Sequence, residues 1–137
     1  MTSQIGEAAP GVDRRDEATL DRRVIAEFGK DDGGAVPEFV VALIAGFIEE
    51  AGAQVARMRN AGQRLDAPAL KVIAHALRGS SMMLGAMRLG SLCEQIEWGA
   101  GQPGGLAKSV ALLADVDREF VKVRAALGVE LQGAGER

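Results

Sequence analysis

The sequence predicts an all-α protein, an antiparallel up-down four-helix bundle with a short additional N-terminal helix. Three observations carry this. No segment shows the period-two alternation of apolar and polar residues that a half-buried strand needs. Apolar residues instead recur three and four apart through most of the chain, which is one face of a helix. The connections are short and marked by Gly, Pro or Asp, so consecutive helices run antiparallel.

The elements follow in order. Residues 1–16 are polar and irregular, with Gly6, Pro10 and Gly11, and read as a flexible tail. From Glu17 to Phe28, Leu20, Val24, Ile25 and Phe28 recur at helical spacing, and the Gly-rich stretch from Gly29 to Gly34 ends that helix. Pro37 suits a first helical turn. The clearest helix follows, with a wide stripe of Phe39, Val40, Leu43, Ile44, Phe47 and Ile48 continued by Ala51, Val55 and Met58, and Gly62 closing it. Asp66 is an N-cap for a helix from about Ala67 to Leu84, with Pro68 in its first turn and Gly85 as its C-terminal cap or kink. A further helix carries Leu89, Leu92, Cys93 and Ile96. A loop spans Gly99 to Gly105. One last helix carries Leu106, Val110, Leu113, Val116, Phe120, Val123 and Leu127. The domain is therefore expected over residues 17–128, with a frayed tail over 129–137.

Composition narrows the function. With 137 residues, 47% of them hydrophobic, the chain has the size of one domain with a core of its own. Sixteen Lys+Arg against nineteen Asp+Glu give a charge of −3, which argues against a nucleic-acid footprint. Four Phe, one Trp and no Tyr offer no stacking platform for single strands. The single cysteine, Cys93, lies on a core stripe and reads as a buried inert thiol in a reducing compartment. Phosphate-binding loops, dinucleotide fingerprints and HExxH are missing, and one histidine excludes a multi-His metal centre within one chain. No apolar run approaches the roughly 18 residues of a membrane span, and the N-terminus lacks the order of a secretion signal. A soluble cytoplasmic protein is expected.

The chemistry concentrates in Lys71 to Gly85. On a helical wheel with His75 at zero, Ile73, Leu77, Leu84 and Ser80 fall between about 140° and 200° and, with Leu70, form the core stripe. His75 points the other way, sharing its face with Lys71, Arg78, Gly79 and Met82. A core role for the ring is thereby disfavoured, while an ordinary surface histidine remains open. Its neighbours favour function. Gly79 costs roughly 1 kcal/mol relative to Ala inside a helix, and what it leaves is room for something bulky to approach the imidazole. Lys71 and Arg78 would stabilise an anion placed on the ring, with Arg78 the better phosphate donor. An exposed, uncrowded imidazole flanked by cations describes a phosphoryl acceptor.

The run from His75 to Ser81 (His-Ala-Leu-Arg-Gly-Ser-Ser), followed by Met-Met-Leu-Gly-Ala86, resembles the signature of histidine-containing phosphotransfer (HPt) domains. That signature is usually His-x-[Leu/Ile]-Lys-Gly-[Ser/Ala]-[Ser/Ala]-x-x-[Leu/Ile/Val]-Gly. Leu89, Leu92, Cys93, Glu94 and Glu97 are similar to the family's next helix. Arg78 departs from the usual lysine, keeping charge and changing reach. The resemblance implies that His75 carries a phosphoryl group, generally on Nε2, to and from aspartates of receiver domains in response regulators or hybrid kinases. It implies a phosphocarrier rather than an enzyme. The receiver would supply Mg²⁺ and the acidic pocket, so this chain is expected to hold no metal or cofactor, and to act as a monomer without nucleic acid or membrane. Lys71 and Arg78 would offset the phosphoryl charge, and Gly79 would leave room for the aspartyl phosphate. Glu97, at the edge of its helix's apolar stripe, is the candidate to hold Nδ1; a solvated edge carboxylate is the bland alternative.

Met82, apolar on the histidine face, reads as a contact for the docking partner or as a single exposed apolar residue. Ser80 reads as a small coreward packing residue. Trp98, opposite the core stripe, packs under the glycine loop or touches a partner. Asp31, Asp32 and the charges from Asp13 to Glu17 read as solvated turns and tail. Two other functions stay in view: a non-catalytic HPt-like module that binds a receiver or kinase without being phosphorylated, and a phosphatase using His75 as nucleophile. The first is disfavoured by the retained His75, Arg78 and Gly79, the second by the lack of metal ligands or a second acid.

Overall fold

The computed structural model describes residues 18–29 and 36–135, with side chains through residue 132. The expected tail over residues 1–16 and the acidic turn at Asp31 and Asp32 lie outside the described residues. The helices are α1 (Arg22–Ala26), α2 (Glu38–Gln63), α3 (Ala67–Met83), α4 (Met87–Ala100), α5 (Leu106–Ala111) and α6 (Leu113–Gly135). The architecture is the expected all-α bundle. α3 packs on α2 and α4, and α6 closes the ring by packing on α4 and α2. The core between them is built from Ile44 and Met58 of α2, Leu70 and Leu77 of α3, Leu89 and Ile96 of α4, and Val116, Val123 and Leu127 of α6, all essentially without solvent contact.

Several expectations need correction. α1 is one short turn and a half rather than the whole stretch from Glu17 to Phe28. Phe39 is exposed and meets Phe28 edge-on, with ring centroids 6.1 Å apart. The seam of α2 is narrower than the stripe drawn from sequence: Val40, Ile44, Phe47, Ala51, Val55 and Met58. By length and hydropathy alone α2 is apolar enough to cross a membrane, which a search for uninterrupted apolar runs overlooks because Glu49, Glu50 and the small residues break the run. Its buried seam is the core of the bundle.

Gly62 does not end α2. It lies in the last turn, where a Cβ would sit 2.5 Å from Leu113 Cδ1, so it serves the close approach to α6. The left-handed cap is Leu65 (φ 53°), with Asp66 N–H on Ala61 O at 2.9 Å and Leu65 N–H on Gly62 O at 3.1 Å. A leucine in that region is strained, and Leu65 is exposed, so it gains little from its side chain. Leu65→Gly is expected to stabilise the fold by about 1 kcal/mol, read as a melting temperature higher by about 4 °C. Asp66 caps α3 as expected, accepting from Ala69 N–H at 3.1 Å.

At the other end of α3, Gly85 (φ 82°) closes the same motif. Ala86 N–H bonds Ser81 O at 2.8 Å and Gly85 N–H bonds Met82 O at 3.2 Å. The N-terminal segment is laced across this turn: Asp21 N–H donates to Gly85 O at 2.7 Å and Arg88 N–H to Ala18 O at 3.3 Å.

The single last helix divides into α5 and α6 at Leu112, whose N–H is shared between Lys108 O and Ser109 O at 3.2 and 3.1 Å. Ser109 Oγ donates to Ile96 O at 3.0 Å and ties α5 to α4; the chain tightens there before α6 leaves for α2. Helix also persists through Gly128 to Gly135, past the expected frayed end. Leu127 and Leu131 pack on the core and Glu130 pairs with Arg22 of α1 at 2.8 Å, which together carry the helix past Gly128 despite that residue's helix penalty. Deeper in the bundle, buried Glu119 of α6 faces Arg88 of α4 at 3.4 Å.

Candidate functional site

The inner seam of α3 comprises Leu70, Ala74, Leu77 and Ser81. Of the expected stripe, Leu70, Leu77 and Leu84 are buried, while Ala74 and Ser81 take the inner positions expected for Ile73 and Ser80. Large side chains dominate that expectation, whereas Ala74 and Ser81 are the small residues buried in the bundle. Ile73 and Ser80 are half-buried at the edge, and Ser80 Oγ folds back on the Ala76 and Leu77 carbonyls at 3.3 and 3.2 Å. Ser81, not Ser80, is therefore the packing serine.

His75 remains on the outer face under either centring, and its side chain is 66% exposed. Glu97 comes to it from α4: His75 Nδ1 lies 2.8 Å from Glu97 Oε2. A carboxylate only accepts, so Nδ1 carries the proton in this contact, and in the neutral ring Nε2 is then the nitrogen with the lone pair. Nε2 lies on the ring edge away from Glu97. The expected bond between these two residues is thus present as geometry.

Arg78, one turn along α3 from His75, reaches the same carboxylate, with Nη1 3.6 Å from Glu97 Oε1. Sequence reasoning places both residues at the site without pairing them, because a wheel describes one helix and this contact spans two. Lys71 lies further off than its wheel position suggests. Its Nζ would be 3.2 Å from a Cβ at Gly101, so the ammonium sits at the C-terminal end of α4, where the helix dipole favours a cation. Lys71, Arg78, Glu94, Glu97 and Trp98 line one open cleft of about 240 Å³ between α3 and α4. That cleft gives Trp98, which the sequence leaves between two roles, a place in the same lining as Glu97 and Arg78.

Gly79 is open: nothing lies within 4 Å of the position its Cβ would take. Met82 is less free than expected. It is 38% exposed, and its Sδ would lie 2.5 Å from a Cβ at Gly90, so it also fills the α3–α4 seam. Met83, at 59%, is the more exposed of the pair. It lines an apolar groove of about 250 Å³ between α2 and α3 with Ala42, Leu43, Gly46 and Ser80. Sequence reasoning misses Met83, although its wheel position, about 80° from His75, is the available signal.

Cys93 is buried, as its stripe implied. Burial first, and the nearby Glu97 charge second, push its thiol up to about 12, so it stays protonated and unreactive.

The Hpt domain family model matches residues 42–126 of the chain. No curated protein matches it. Among solved structures, histidine-containing phosphotransfer protein B (HptB) from Pseudomonas aeruginosa PAO1 superposes with a TM-score of 0.74 at 30% sequence identity, covering 83% of this chain and 95% of that one.

Proposed function

The chain belongs to the Hpt domain family, and from that premise we propose that it carries a phosphoryl group on His75 to and from receiver-domain aspartates in a His–Asp phosphorelay. The single observation that supports this most directly is the exposed ring held at Nδ1 by Glu97 with Nε2 turned away. In the proposed step, the Nε2 lone pair attacks the phosphorus of an aspartyl phosphate. The N–P bond forms as the P–O bond breaks, and that electron pair returns to the receiver's carboxylate. The Nδ1 proton stays where it is, and the positive charge developing on the ring faces Glu97. Transfer outward is the reverse step.

Phosphoryl transfer asks a protein for positioning and charge stabilisation more than for covalent chemistry. Arg78 is placed to meet phosphoryl oxygens, and Lys71 adds positive charge to the same cleft. The Mg²⁺ and acidic pocket would belong to the receiver. The chain would act as a cytoplasmic monomer and a carrier rather than an enzyme. The receiver would press on Gly79, Met82, Met83 and the α2–α3 groove.

The test is incubation with receivers phosphorylated on aspartate. Acid-labile, alkali-stable label should appear on the chain and map to His75. If none of the cognate receivers labels it, the reading is wrong. Gly79 gives a second check. Since its Cβ position is empty, Gly79→Ala should raise stability by about 1 kcal/mol in a thermal melt. Gly79→Leu should fold as well and accept phosphoryl about tenfold more slowly, because the obstruction meets only the visiting receiver.

A further inference from the structure

Three side chains from two helices meet at one carboxylate. Glu97 Oε2 holds His75 Nδ1 at 2.8 Å, while Oε1 is shielded from solvent, has no hydrogen-bond partner, and faces Arg78 Nη1 at 3.6 Å. Glu97 is only 20% exposed and Arg78 40%. The other charged groups of the cleft are placed elsewhere: Lys71 at Gly101, and Glu94 one turn before Glu97 on α4. Among the described residues, Arg78 is thus the cation within ion-pair reach of Glu97.

We propose, on the premise that His75 accepts the phosphoryl group, that Arg78 is a positioning residue acting through Glu97: its guanidinium keeps the carboxylate turned so that Oε2 holds the His75 Nδ1 proton and Nε2 keeps its lone pair.

The physical reason lies in the unequal treatment of the two carboxylate oxygens. Oε2 has a donor, whereas Oε1 has only the field of the guanidinium. Without that cation, a partly buried carboxylate oxygen lacking a hydrogen bond gains by rotating toward water. Rotation takes Oε2 from the ring. An imidazole that loses its carboxylate partner no longer has its tautomer fixed, and a proton on Nε2 removes the nucleophile. Arginine suits this task better than lysine. One nitrogen of the planar fork can serve Glu97 while others meet an arriving phosphoryl oxygen, whereas a lysine offers a single point charge to both. As the phosphoryl group arrives, the fork bridges it to Glu97, which stays opposite the ring's new positive charge.

The test is ¹⁵N NMR of the His75 ring in the full, unphosphorylated chain, alone, across wild type, Arg78→Met, Arg78→Lys, Glu97→Gln and the Met/Gln double variant. The wild type should show the Nδ1–H tautomer. Arg78→Met should move much of the population to Nε2–H, Arg78→Lys should restore part of it, and Arg78→Met should add nothing once Glu97 is Gln. A wild-type tautomer in Arg78→Met overturns the proposal, as does an equal shift in the Glu97→Gln background, which would mean that Arg78 acts on the ring directly. Transfer rates from a phosphorylated receiver should follow, with Arg78→Met costing at least about tenfold in wild type and less beside Glu97→Gln. No receiver is needed for the tautomer series. If the wild type accepts no phosphoryl group while that series behaves as expected, the relay reading falls and the positioning role stands. Transfer by a chain whose tautomer is indifferent to Arg78 overturns the positioning role and leaves the relay reading intact.

Discussion

His75→Gln is expected to accept no measurable phosphoryl group from a phosphorylated receiver, at least about a thousandfold below wild type, while helicity and melting temperature stay unchanged. A thousandfold corresponds to roughly 4 kcal/mol of lost transition-state stabilisation, which is reasonable for deleting the nucleophile itself. Glutamine keeps a polar side chain of similar length, but its amide nitrogen has no lone pair available to form an N–P bond. The fold should not notice the change. The ring is largely exposed and its hydrogen bond to Glu97 lies at the surface, so the stability effect should stay within about 0.5 kcal/mol. Transfer of labelled phosphoryl and circular dichroism on the same samples check both halves. Label persisting on the variant would mean that another residue is the acceptor.

Gly85→Ala is expected to have the opposite profile: a large loss of stability with the phosphoryl-accepting ring untouched. Two independent penalties meet at this position. At φ 82° any Cβ is strained by roughly 1–2 kcal/mol. The Cβ would also stand 2.5 Å from Asp21 O and 3.1 Å from Val24 Cβ. The segment carrying α1 would have to lift off the α3–α4 turn and surrender the Asp21 N–H to Gly85 O bond at 2.7 Å. The sum is about 3 kcal/mol, a melting temperature lower by roughly 10 °C in a domain of this size. An unchanged melt would show that α1 does not dock on that turn. Gly79→Ala differs for a plain reason. Both glycines belong to the same helix motif, yet one position is empty and the other is filled by backbone from a distant part of the chain.

Much of the architecture is legible in the sequence because it rests on local patterns. Asp66 and Pro68 announce the start of α3, Gly85 its end, and the spacing of Leu89, Leu92, Cys93 and Ile96 the buried face of α4. Errors arise where one helix is judged without its neighbours. Phe39 falls at the outer edge of a stripe of which the bundle buries only the inner part. Gly62 looks like a terminator because glycine so often is one, whereas its role is to let Leu113 approach. Ser80 and Ser81 exchange places because the inner seam of α3 runs through Leu70, Ala74, Leu77 and Ser81, a face that its neighbours in the bundle select and a single wheel misplaces.

By itself the sequence determined the helical class, the order of the elements and the outward direction of His75, since hydrophobic periodicity sorts the faces of a helix before any partner is known. It also determined which residues could serve that ring. Only the tertiary structure decided how they are shared: that Glu97 holds Nδ1, that Arg78 reaches the same carboxylate, that Lys71 settles at Gly101, and that Met83 rather than Met82 stands more open. Each is a contact between side chains on different helices, and the rotation and separation of packed helices follow from how the whole core fills, which no single segment encodes.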